Sequence, residues 1–111
     1  QGSEKALQRR AQAFWDLQVA GDKFGAYNYL AESYRKRVSP TTFGSESANI
    51  VWTSAEIKKV ELDEASARVV LALKYRFLHP KYDFGAAETN STERWVFENG
   101  AWYRWPPGLG G

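Results

Sequence analysis

Residues 66–77, Ser66-Ala67-Arg68-Val69-Val70-Leu71-Ala72-Leu73-Lys74-Tyr75-Arg76-Phe77, decide how this chain folds. Ala67, Val69, Leu71, Leu73, Tyr75 and Phe77 share one parity, while Arg68, Lys74 and Arg76 fall on the other. A period of two puts alternate side chains on opposite faces, so the stretch predicts a long central strand with one face in the core.

Downstream, His79-Pro80-Lys81-Tyr82-Asp83-Phe84-Gly85 supplies Pro and Gly breakers and predicts a loop of about six residues at the mouth of any cavity. Glu88 to Glu98 returns as a strand. Asn99-Gly100 then favours a tight type I′ hairpin, because both central residues of that turn need positive φ. Ala101 to Trp105 is the last strand, and the tail 106–111, with two prolines and three glycines, cannot extend a ladder and is expected to be flexible. Upstream of the Asp63-Glu64-Ala65-Ser66 turn, Ile50, Trp52, Val60 and Leu62 share one parity and Val51 and Ile57 the other. That strand must bulge near Lys58-Lys59 or be covered on both faces.

Before residue 50 the period changes. Leu7, Ala11, Phe14, Trp15 and Val19 recur at helical spacing, with Ser3 placed to cap the start and Gly21 to stop the helix. Asp22 caps a second amphipathic helix carrying Phe24, Tyr27, Leu30, Ala31 and Tyr34. Ser39-Pro40 opens a brief third one anchored by Phe43. Arg35-Lys36-Arg37 between them reads as a solvated connector rather than as an anion-binding patch.

At 111 residues, with 43% hydrophobic and 25% charged residues, the chain fits one globular domain. We assign it to residues 1–105, leaving 106–111 as the tail. A net charge of +2 without a clustered basic face speaks against a nucleic-acid partner. No apolar run approaches the roughly 20 residues needed to insert across a membrane. The chain has no Cys, which removes thiolate chemistry, and a single His, which removes His-rich metal clusters. No metal or other cofactor is expected. Met is absent even at position 1, so the start is expected to be processed, and an exported, periplasmic location follows as an expectation from that alone.

Helices followed by a meander of long antiparallel strands define an α+β fold of helices packed on a curved sheet of about four strands. Ala11-Gln12-Ala13-Phe14-Trp15-Asp16-Leu17, the Gly21-Asp22 break, Ala26-Tyr27-x-x-Leu30 with Ser33-Tyr34-Arg35, and Arg94-Trp95-Val96-Phe97-Glu98-Asn99-Gly100-Ala101-Trp102 together resemble small bacterial domains of the nuclear transport factor two-like superfamily. The resemblance spans nearly the whole chain. It implies a cone whose bent sheet wraps the first helix around an apolar cavity, and a homodimer formed through the outer sheet face. It does not imply an activity, because the superfamily holds isomerases, dehydratases and many non-catalytic domains.

Enzymes of that superfamily place a carboxylate in the cavity, where burial can raise its pKa toward that of a general base. The candidates here are Asp16, beside the apolar stripe of the first helix and expected in solvent, and Glu93, which shares parity with Trp95 and Phe97 but reads as a surface or interface carboxylate. His79 is expected at the rim. No Gly-x-Ser-x-Gly elbow and no phosphate loop is present. The stronger lead is an aromatic set, Trp15, Tyr27, Tyr34, Trp52, Tyr75, Phe77 and Trp95, which could wall a cavity for an apolar small molecule. Trp102 and Trp105 are expected to form an exposed patch. The expectation is a non-catalytic ligand-binding or protein-interaction domain; the alternative is an isomerase- or dehydratase-like enzyme with Glu93 or Asp16 as base and Tyr27 or Tyr34 as donor.

Overall fold

Ser3 starts the first helix by accepting a hydrogen bond from the Ala6 amide at 3.1 Å, satisfying a donor that has no partner within the helix. The computed structural model describes residues 3–79 and 81–107. Helix α1 runs Glu4–Ala20 and ends at Gly21 in the left-handed conformation, φ +79°. The Gly21 amide returns to the Gln18 carbonyl and the Asp22 amide to that of Leu17, a Schellman closure that only a residue tolerant of positive φ makes cheaply. Asp22 then caps α2, Lys23–Tyr27, by accepting from the Gly25 amide at 2.8 Å.

The second helix is not continuous. The Ala31 amide donates to the Arg104 carbonyl and the Arg104 amide to that of Tyr29, both at 2.8 Å, so the backbone around Leu30 joins the last strand and leaves the helix. A short α3, Glu32–Arg35, follows, and Ser39 with Pro40 opens α4, Pro40–Glu46. The helical spacing of Phe24 to Tyr34 was real, but pairing with the sheet overrides it.

Four strands, β1 (Ile50–Asp63), β2 (Ser66–Leu78), β3 (Asp83–Glu98) and β4 (Ala101–Trp105), pair antiparallel in the order β1-β2-β3-β4. Strand β1 carries two bulges, between Trp52 and Ser54 and between Ile57 and Lys59. Each extra residue switches parity, so Ile50 and Trp52, then Ala55 and Ile57, then Val60 and Leu62 all face the same way as their β2 partners. The expected loop before β3 shrinks to residues 79–82, because β3 begins at Asp83. There an Arg76–Asp83 ion pair at 3.0 Å and the positive φ of Gly85 accompany a register shift between Arg76 and Leu78. The β3–β4 hairpin has positive φ at both Asn99 and Gly100, as its turn requires.

The core lies between α1 and the inner sheet face. Leu7, Ala11, Phe14 and Trp15 meet Val69, Leu71, Trp95 and Trp102, all buried. Aromatic rings meet edge to face, Phe14 on Trp15 and Trp95, and Trp15 on Trp52 at 5.0 Å between centroids. Trp102 is therefore a core residue and not part of an exposed patch. It has opposite parity to Trp105, so a single strand face cannot present both. Pro106 is also buried, which extends the ordered chain past the expected end of the domain; of the expected tail, residues 108–111 lie outside the described residues. No described helix is long and apolar enough to cross a membrane.

Candidate functional site

Glu93 is drawn inward by strand parity: it pairs with Val69 across the inner face, and its side chain is 2% exposed. A carboxylate so placed must be compensated. The indole Nε1 of Trp15 donates to both its oxygens at 3.0 and 3.1 Å, Trp95 Nε1 donates to Oε1 at 3.2 Å, and Arg104 Nε donates to Oε2 at 2.9 Å. Two core tryptophans thus have their N–H groups satisfied by one carboxylate. Arg104, whose guanidinium also lies over the Phe14 ring, supplies the opposite charge.

Arg104 links this buried cluster to a cleft of about 390 Å³. Tyr34, Arg37, Val38, Phe43, Glu46, Arg104, Pro106 and Pro107 line it. Helices α3 and α4 form one wall and the end of β4 the other. Phe43 packs edge-on to Tyr34 at 6.3 Å and tilted against Tyr27 at 6.0 Å, fixing α4 against the preceding helices. The Tyr27 hydroxyl holds the connector from below, within 2.6 Å of the Val38 carbonyl and 2.9 Å of that of Arg35. The Tyr34 hydroxyl donates to the Glu46 carboxylate at 3.3 Å. Burial, with Glu46 beside it, pushes that phenol up to about 12, so it is a neutral donor at any physiological pH.

The structure divides the sequence-predicted residues among three environments. Trp15 and Trp95 are buried and bonded to Glu93, and Tyr27 is buried and bonded to backbone carbonyls, so these three serve packing. Tyr34 alone of the aromatic set lines the cleft. Trp52, Tyr75 and Phe77 form a ring-on-ring series along the far half of the inner face, with centroids 5.6 and 5.4 Å apart. Phe77 there is 40% exposed, and Trp52 Nε1 is buried with no hydrogen-bond partner among the described residues. Asp16 is exposed and accepts from Gln12, far from an enclosed base. His79 is exposed, its Nδ1 accepting from the Lys81 amide and its ring 5.0 Å from that of Tyr82. Glu93 is inward, contrary to its reading as a surface carboxylate; the parity shared with Trp95 was the correct signal.

Glu46, Val38 and Arg104 were not singled out from the sequence, and Arg37 was read as part of a solvated connector, whereas it lines the cleft. Arg104 shares its parity with the buried Trp102 on β4 and could have been found that way. Glu46 and Arg37 reach the cleft only because α3 and α4 turn sharply, which no periodicity encodes.

No family model and no curated protein matches the chain. Solved structures do. Over 96% of this chain and 62% of the other, it superposes on a SEC-C motif containing protein from Psychrobacter arcticus with a TM-score of 0.70 and 13% identity. The chain therefore spans under two thirds of that protein's length. An NTF2-like protein of unknown function from Prochlorococcus marinus matches over 95% of this chain and 89% of the other, at TM-score 0.61 and 16% identity. A putative NTF2-like transpeptidase from Campylobacter jejuni matches over 90% and 97%, at TM-score 0.59 and 12% identity. Helices closing one side of a curved four-stranded sheet define a cone-type α+β domain. Its fold is the nuclear transport factor two-like fold.

Proposed function

We propose that this chain is a non-catalytic binding domain that holds a small molecule in the cleft between α3, α4 and the end of β4. One observation carries the reading. The phenol of Tyr34, the carboxylate of Glu46 and the guanidinium groups of Arg37 and Arg104 line a concavity completed by Val38, Phe43, Pro106 and Pro107. Convergent polar groups beside an apolar wall, in a volume of a few hundred Å³, suit a small-molecule site. The ligand has an apolar body and a polar end.

An isomerase- or dehydratase-like activity has less support. A general base needs an oxygen free to take a proton. The Glu93 oxygens are engaged by two indoles and a guanidinium, and Asp16 stands in solvent.

The test is gentle native mass spectrometry followed by a fragment screen read by amide NMR shifts, on the wild type and on Val38→Trp, which fills the cleft. A copurified or screened compound that shifts Tyr34, Val38 and Phe43 and binds Val38→Trp at least about tenfold more weakly supports the reading. Binding that survives in a folded Val38→Trp, or shifts confined to other parts of the molecule, overturns it.

A further inference from the structure

The last strand is much shorter than its neighbour. Strand β4 pairs with β3 only from Arg94 to Glu98, so the stretch of β3 from Asp83 to Glu93 has β2 on one side and no strand on the other among the described residues. The orientation of the backbone along this edge follows from the hairpin. The Phe97 amide donates to the Ala65 carbonyl, on the β2 side, while Glu98 pairs with Ala101 across the two-residue turn. Odd-numbered residues therefore bond toward β2, and the N–H and C=O groups of Ala86, Glu88, Asn90 and Thr92 point outward along the open edge. The register of this segment with β2 is unbroken from Ala86 to Val96.

Edge strands are usually blunted by Lys, Pro, a bulge or an overlying element. Ala86-Ala87-Glu88-Thr89-Asn90-Ser91-Thr92 contains no Lys and no Pro, and these residues are exposed or half-buried. Glu88 is the lone charge, and on its own sheet it is answered by Lys74 at 3.6 Å.

We propose that this edge pairs with the same edge of a second copy of the chain, forming a two-fold antiparallel ladder that continues the sheet from one molecule into the next. Self-pairing of one strand is isologous, so each register is set by the residue on the two-fold axis. Centring on Glu88 would set two like charges face to face, which is unfavourable. Centring on Thr89 removes that opposition: Glu88 bonds across to Asn90 and Ala86 to Thr92, and in each pair both residues have outward-pointing backbone groups. The Glu88 carboxylate then faces an amide, and its Lys74 partner stays in place. A contact of one strand edge is small, so association is weak and concentration-dependent. This interface is distinct from one through the outer sheet face, where Glu61, Arg68 and Arg94 stand in one row.

Sedimentation velocity across a concentration series, with the wild type, Asn90→Pro and Asn90→Lys, tests the proposal. The Asn90 amide points away from β2, so proline there spares the existing ladder. The expected result is a wild-type mass that rises from one to two chains with concentration, and a single-chain mass for both variants at unchanged far-UV circular dichroism. A wild type that stays monomeric into the millimolar range overturns the proposal. So does a dimer that both folded variants retain, since that places the contact elsewhere. Should the variants unfold, amide exchange on the wild type decides: protection of Glu88, Asn90 and Thr92 that grows with concentration supports the edge pairing, and protection that stays flat overturns it.

Discussion

A single carboxylate organises the middle of this molecule. Glu93 accepts from Trp15, Trp95 and Arg104, which come from α1, β3 and β4, so three elements share one anchoring group. Removing one partner of such a pair costs more than the pair contributes, because the remaining charge stays buried. We therefore expect Arg104→Met to lower the free energy of unfolding by about 3 kcal/mol, and Glu93→Gln by less, since glutamine keeps one oxygen for an indole. Urea denaturation of both variants and the double variant checks this. The double variant should be less destabilised than the two single losses added, and strict additivity would mean the groups do not interact. Asp83 shows the contrasting case on the surface. The Gly85 amide, and after it Arg76, hold its carboxyl below the usual range, yet it stands in water and contributes little. The inward direction of Glu93 was legible in its parity with Trp95 and Phe97. Its donors were not, because two indoles and a guanidinium from distant segments meet it only through tertiary packing.

At the scale of elements, β1 shows how far periodicity can be read. The mixed parity of Ile50, Trp52, Ile57, Val60 and Leu62 announced a bulge near Lys58, and one is there. A single bulge could not return Val60 and Leu62 to the parity of Ile50 and Trp52, so a second was required, and it lies between Trp52 and Ser54, where no hydrophobic residue marks it. Lys58 is the extra residue of that first bulge, so deleting it would only make the ladder regular, whereas deleting Glu56 should move Ile57 out of register with Leu71. Ile57 then turns to the outer face while the bulge at Lys58 closes behind it and Val60 and Leu62 keep their partners. Ile57 is partly buried against the core, so the expected loss is about 2 kcal/mol, seen as a lowered urea midpoint with the fold retained. A deletion without cost would mean that β1 does not depend on its register with β2. The same limit explains the helices. The caps at Ser3, Asp22 and Ser39 were readable as local chemistry, whereas the break at Leu30 was not, because it is made by the backbone of Arg104.

At the scale of the whole molecule, helix and sheet are unequal in length. The 17 residues of α1 span about 25 Å at the rise of an α-helix, whereas the 13 residues of β2 reach about 40 Å as a strand. The molecule measures 48 × 30 × 23 Å, so part of the sheet must project beyond its helical cover. The projecting end is the one formed by the start of β1, the end of β2 and the start of β3, where Val51, Phe77, Leu78 and Tyr82 are 40%, 40%, 57% and 61% exposed. The buried residues of β2 run from Ala67 to Leu73 and stop there. Local stability follows buried contacts, so the two ends of one hairpin should open independently. In amide exchange at low-micromolar protein, where self-association is negligible, amides from Tyr75 to Leu78 should exchange on the order of 100-fold faster than those of Val69 and Leu71, which should open only with global unfolding. Equal protection along β2 would show that the hairpin opens as one unit with the core, and that Trp52, Tyr75 and Phe77 form part of it.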